Sequence, residues 1–195
     1  MKKTLLSLAI ASLAAGQSVC AAVEKVYNEP DSVYIFSYAH PEDEGRSGLK
    51  FAWSPDGDKW LSVSDGFAYL KCDFGRWGSE KRMIKPLLEK AEDGRWYCRW
   101  QLTPSGKVWG TSHSSDLLKW APQQYVNAEK PAVPRLVTAR QIVLDKDTLN
   151  GYMQKVPYAD IEQLIRFAEH KKFRDIQNNA VSYTHLRAHE TELHL

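Results

Sequence analysis

Ser54-Pro55-Asp56-Gly57-Asp58-Lys59-Trp60 and Ser114-Ser115-Asp116-Leu117-Leu118-Lys119-Trp120 are two copies of one pattern, sixty residues apart, with Ser, Asp, Lys and Trp in register. Each copy follows a short β-like run, Leu49–Trp53 in the first and Lys107–His113 in the second. An Asp in such a turn accepts backbone N–H bonds from the residues just ahead of it, and Gly57 supplies a left-handed φ without a Cβ clash. The Trp opens the next strand and brings a large apolar area for burial between neighbouring units. The motif therefore reports architecture, and the chemistry has to be sought in other residues.

A fixed period of this size, built from several short strands, is the signature of a β-propeller in which each repeat is one blade. Working outward from the first turn, Val33–Tyr38 is β-branched and aromatic, a charged loop spans Pro41–Arg46, and the strand ending at Trp53 completes a hairpin. Leu61–Val63 and Phe67–Leu70 supply a third and fourth strand. The second unit begins with Met83–Leu88, crosses an Asp93-Gly94 turn into Arg95–Leu102, and returns through Pro104-Ser105-Gly106 to Lys107–His113; Leu136–Leu144 is a further strand. The alternation is only partial, as expected of strands covered on both faces. Ile161, Leu164, Ile165 and Ala168 then fall at helical spacing, predicting a helix over Tyr158–Phe173 with Pro157 at its entry, an insertion that covers one edge. The expected fold is all-β: a partial β-propeller of about two four-stranded blades (23–150) with one helical insertion near the C-terminus (151–180).

Both ends fall outside this pattern. Lys2 and Lys3 precede an apolar run from Leu5 to Ala15 and small residues at Val19–Ala22, which predicts a secretory signal peptide over 1–22 and a soluble mature chain, periplasmic or extracellular. Val181–Leu195 resembles the translation of a sequencing adaptor and is set aside as an artefact. With it goes the His189-Glu190-Thr191-Glu192-Leu193-His194 pattern, whose histidines are five apart where a zinc-protease helix needs four. No metal or cofactor is expected. Without these ends, the 26 basic residues lose Lys2, Lys3 and Arg187 to leave 23, and the 24 acidic ones lose Glu190 and Glu192 to leave 22. So balanced a charge argues against nucleic acid or a membrane surface as partner. Cys72 and Cys98 remain, either as a disulfide or as two buried thiols.

The order of aromatic strand, Ser-x-Asp-Gly-x-x-Trp, Pro-bearing strand, Asp-Gly turn, Trp-rich strand and Ser-x-Asp-Leu-x-x-Trp resembles glycoside hydrolase family 43 over Tyr34–Gln124. The resemblance implies a five-bladed propeller, of which two blades lie here, and a secreted glycosidase cleaving O-glycosidic bonds in poly- or oligosaccharides, of arabinofuranosidase or xylosidase type. It also implies three carboxylates around a central pocket, since hydrolysis needs one acid for the leaving oxygen and one carboxylate for water. The positions that match are altered: Ile84-Lys85-Pro86 carries Lys85 where the supporting aspartate belongs, and Asp31, in Glu29-Pro30-Asp31, stands close to the first strand. Asp31 and Lys85 are thus the catalytic candidates. Trp100, Trp109 and His113, on inner strands, are the candidates for a sugar-stacking platform, with core packing as the competing role of each tryptophan. The second class of function is a catalytically degenerate propeller that binds glycans or a protein partner.

Overall fold

A computed structural model describes residues 30–104 and 106–172, and within them the chain is mostly strand, arranged as two antiparallel sheets. The first sheet contains β1 (Ser32–Tyr38), β2 (Lys50–Ser54), β3 (Leu61–Ser62), β8 (Val137–Leu144) and β9 (Asp147–Pro157), in the order β3-β2-β1-β9-β8. The second contains β4 (Ile84–Lys90), β5 (Trp96–Gln101), β6 (Val108–Ser114) and β7 (Gln124–Asn127) in chain order. The all-β expectation holds, with one helix, α1, over 162–172. The signal-peptide and adaptor-like segments lie outside the described residues. No helix among the described residues is long and apolar enough to cross a membrane.

Strand β1 is covered on both faces, which explains its near-continuous apolar sequence. Val33 and Ile35 point into a core shared by both sheets, while Phe36 and Tyr38 point the other way into a smaller cluster. Strand β5 alternates: Trp96, Cys98 and Trp100 are buried, with Tyr97, Arg99 and Gln101 half-buried between them. The shared core gathers Val33, Ile35, Phe51, Leu88, Trp96, Cys98 and Trp100, and is completed by Ile161, Leu164 and Ile165. Cys72 and Cys98 are both buried and free, and burial pushes the Cys98 thiol far above its ordinary value.

Three expectations are corrected. The helical segment does not merely cover an edge: Ile161 and Leu164 are 0% and 1% exposed within the shared core. Phe67–Leu70 forms no full strand, because the Ser64–Phe67 turn, with Gly66 at φ +70°, leaves only the bridge between Leu49 and Leu70. Residues 137–144 do form a strand, but it turns tightly at Asp145 (φ +59°) and pairs with β9 in the first sheet. The driving force is apolar: Ile142, Leu144 and Leu149 close against Phe36, Tyr38 and Trp60. Strand β9 consequently runs through residues 151–157, and its Val33↔Val156 to Tyr38↔Gly151 register places it beside β1.

Candidate functional site

The repeated motif is a self-contained turn in both copies. Ser54 Oγ accepts from the N–H of Asp56 (3.3 Å) and Gly57 (2.8 Å), and Asp56 Oδ1 accepts from the N–H of Asp58 and Lys59, both at 2.9 Å. In the second copy Ser114 Oγ accepts from Asp116 (3.2 Å) and Leu117 (2.9 Å), and Asp116 Oδ1 from Leu118 (2.9 Å) and Lys119 (2.8 Å). Each serine hydroxyl also donates to its aspartate. Donors from Lys59, Asp58 and Ser54 favour the charged carboxylate and hold Asp56 down at about 2. For Asp116 burial pushes upward, but the N–H groups of Lys119 and Leu118 outweigh it and the pKa is lowered. The fourth position of the motif is left-handed in both copies, Gly57 at φ +87° and Leu117 at φ +63°; Leu117 tolerates it with its side chain fully buried in the shared core. The tryptophans separate: Trp60 packs against Phe36 in the smaller cluster, and Trp120 packs on the shared core while donating Nε1–H to the Leu117 carbonyl at 3.2 Å.

The residues nominated from the sequence do not converge. Trp100 is 0% exposed, faces the shared core and lies against Gly110, so closely that a Cβ there would overlap its Cε2. Trp109 pairs with Gln101, one step out of phase with Trp100, so the two indoles occupy opposite faces of the second sheet. Both indole nitrogens are buried without a hydrogen-bond partner among the described residues. His113 shares a face with Trp109 but stands four residues along β6, about 13 Å at the rise of an extended strand. Its ring lies tilted against Tyr97 at 5.7 Å between centroids, and it lines a cavity of about 380 Å³ with Arg95, Lys119 and Trp120. Asp31 is exposed at the start of β1, and its carbonyl accepts the Tyr158 N–H at 3.2 Å. Ser37, six residues further along the extended strand, about 20 Å on, is the residue that meets the Lys85-Pro86 step. Asp31 and Lys85 therefore lie at opposite ends of β1.

Among the described non-glycine residues with a left-handed φ, Glu44, Lys85, Leu117 and Asp145, only Lys85 precedes a proline. The β4–β5 register slips between Ile84 and Leu87, and at this bulge Lys85 has φ +50°. Left-handed φ is unfavourable for any residue with a Cβ, and the following Pro86 restricts the same residue further. The bulge is anchored from beneath, where the buried Ser37 hydroxyl donates to the Pro86 carbonyl at 2.9 Å. Bulges of this kind re-aim a side chain out of its ladder. Here Lys85 is exposed and joins Lys130, Gln141, Asn150 and Tyr152 around a groove of about 600 Å³ that also meets Ala139, Arg140 and Gly151. Gln141 Nε2 donates to Asn150 Oδ1 at 3.2 Å across the β8–β9 pair, which leaves the Gln141 oxygen and the Asn150 amide N–H groups for a ligand. Tyr152 is half-buried, and desolvation raises its phenol pKa. None of the residues lining the groove is a carboxylate.

Only Lys85 of this set is legible in the sequence. Lys130, Gln141, Asn150 and Tyr152 carry no motif, and the usable signal for three of them is the Leu144–Asp147 turn, where two β-branched runs meet at Asp145-Lys146. No family model, curated protein or solved structure matches the chain.

Proposed function

We propose that the chain is a secreted, glycosidase-like propeller protein that recognises glycans in the groove beside Lys85, and that this groove binds its sugar without cleaving it. The observation that carries the reading is the strained bulge at Lys85, held by Ser37 and opening onto two amides and a tyrosine ring. Local strain of this kind is kept where a side chain has work to do. Amide donors and acceptors match the alternating hydroxyls of a sugar, and an aromatic ring offers a face for its C–H groups. Hydrolysis in the family manner asks for a proton-donating carboxyl and a second carboxylate across the glycosidic bond. A groove lined by lysines, amides and a phenol offers neither, so retention of the ligand is the chemistry available to it.

Affinity electrophoresis of the purified chain through gels containing arabinan, xylan or polygalacturonate tests the reading. Retardation in at least one gel, lost in Tyr152→Ala and Asn150→Ala, is the expected result. Unretarded migration in all three would remove it. Turnover of an aryl arabinofuranoside or aryl xyloside would restore the hydrolase reading, whose support is the resemblance over Tyr34–Gln124.

A further inference from the structure

We infer that the glycan taken by the Lys85 groove carries carboxylates, as a uronic-acid polymer does; the inference rests on the saccharide reading of that groove and names its ligand class. Every charged side chain lining the groove is cationic: Lys85, Lys130 and Arg140. Several cations elsewhere on the surface are neutralised by a carboxylate. Arg46 and Arg82 meet Glu44 at 3.0 and 2.8 Å, Lys90 meets Asp160 at 2.5 Å, and Arg99 and Arg166 are paired with Glu89 and Glu162. Arg140 is half-committed, with Asp58 at 3.8 Å and the Met153 sulfur at 3.6 Å. Lys85 and Lys130 have no carboxylate partner among the described residues.

On a chain whose formal net charge is only +2, three cations lining one groove with no carboxylate among its lining residues form a local positive site. A nucleic acid, with a phosphate at every nucleotide, would ask for a longer basic stripe than the three cations of this groove. The groove's volume is that of a small-ligand cleft. The Gln141–Asn150 amide pair supplies hydroxyl recognition next to the charges, a combination suited to a carboxylated sugar ring. The two lysines meet the carboxylates while the amides and Tyr152 hold the ring.

The test compares trigalacturonate with galactotriose, which keeps the ring and replaces each carboxylate by a hydroxymethyl group, using calorimetric titration of the purified chain at 20 and 300 mM NaCl. Trigalacturonate should bind at least tenfold more tightly at low salt, and the advantage should shrink severalfold at high salt as the lysines are screened. Lys85→Gln and Lys130→Gln remove the charge while keeping a polar, unbranched side chain one atom shorter, and should each weaken trigalacturonate severalfold while leaving galactotriose unchanged. Tyr152→Ala should weaken both. Equal affinities for the two sugars overturn the inference and leave the saccharide groove standing. Failure of both to bind removes the groove reading with it. A Lys85-dependent complex with a single-stranded 12-nucleotide DNA, without trigalacturonate binding, overturns the inference in favour of a nucleic-acid ligand.

Discussion

Replacing Lys85 by glycine should make the protein more stable while weakening the groove's hold on a carboxylated sugar. A left-handed φ disfavours a residue with a Cβ by about 1–2 kcal/mol, and φ +50° at Lys85 falls in that region. Glycine removes the penalty but loses about 0.5–1 kcal/mol through the greater freedom of its unfolded chain. The net gain over Lys85→Ala, which keeps the Cβ and the strain, is about 0.5–1 kcal/mol. For a chain of this size that corresponds to a rise of roughly 1–4 °C in Tm. Both variants lose the ammonium, so their difference isolates the backbone. Thermal unfolding by circular dichroism on wild type, Lys85→Ala and Lys85→Gly should give the order glycine above alanine, with alanine close to wild type because the lysine side chain is exposed. A glycine variant no more stable than the alanine one would refute the claim that this bulge stores strain.

Gly110→Ala places a methyl group against the Trp100 indole, and the resulting overpacking should destabilise the chain by about 1–3 kcal/mol, read as a lower urea midpoint. Leu164→Ala should remove about 2–5 kcal/mol if the helix belongs to the shared core, and far less if it only shields an edge; the same denaturation measurement decides. Asp56, held at about 2 in the folded state against an ordinary 3.8, favours folding above its unfolded pKa, and that contribution is lost as pH falls from about 4 toward 2. Asp56→Asn should flatten the acid limb of a stability-versus-pH curve, and an NMR titration of Asp56 with a midpoint near 4 would contradict the turn geometry.

The turns were readable because everything they need is local. Ser54 and Asp56, like Ser114 and Asp116, satisfy backbone groups within three residues, and such bonds leave a fixed imprint on sequence. The hairpins of β1–β2, β4–β5 and β5–β6 were legible for the same reason. Strand β9 was not: Gly151 interrupts its pattern, and its pairing with β1 depends on residues more than a hundred positions away. The platform role of Trp100 and Trp109 depended on facing, and the Gln101↔Trp109 register that separates them is a property of pairing, not of composition. At the groove, the unusual Lys85-Pro86 step could be seen, but Gln141, Asn150 and Tyr152 reach it only because the β8–β9 hairpin folds back onto β1.

That return of β9 to β1 also sets the order in which the chain can assemble. The second sheet closes by hairpins between neighbours in sequence, whereas the first needs Ser32–Tyr38 to meet residues 151–157. Contacts of such sequence separation form late and slow the folding of the whole. Until Pro157 has been synthesised, β1 has no partner on one side, and Phe36 and Tyr38 lack the Ile142, Leu144 and Leu149 that later cover them. A nascent chain therefore carries a bare, apolar strand edge through most of its synthesis, and the interval before β9 arrives is when pairing with another copy competes with folding.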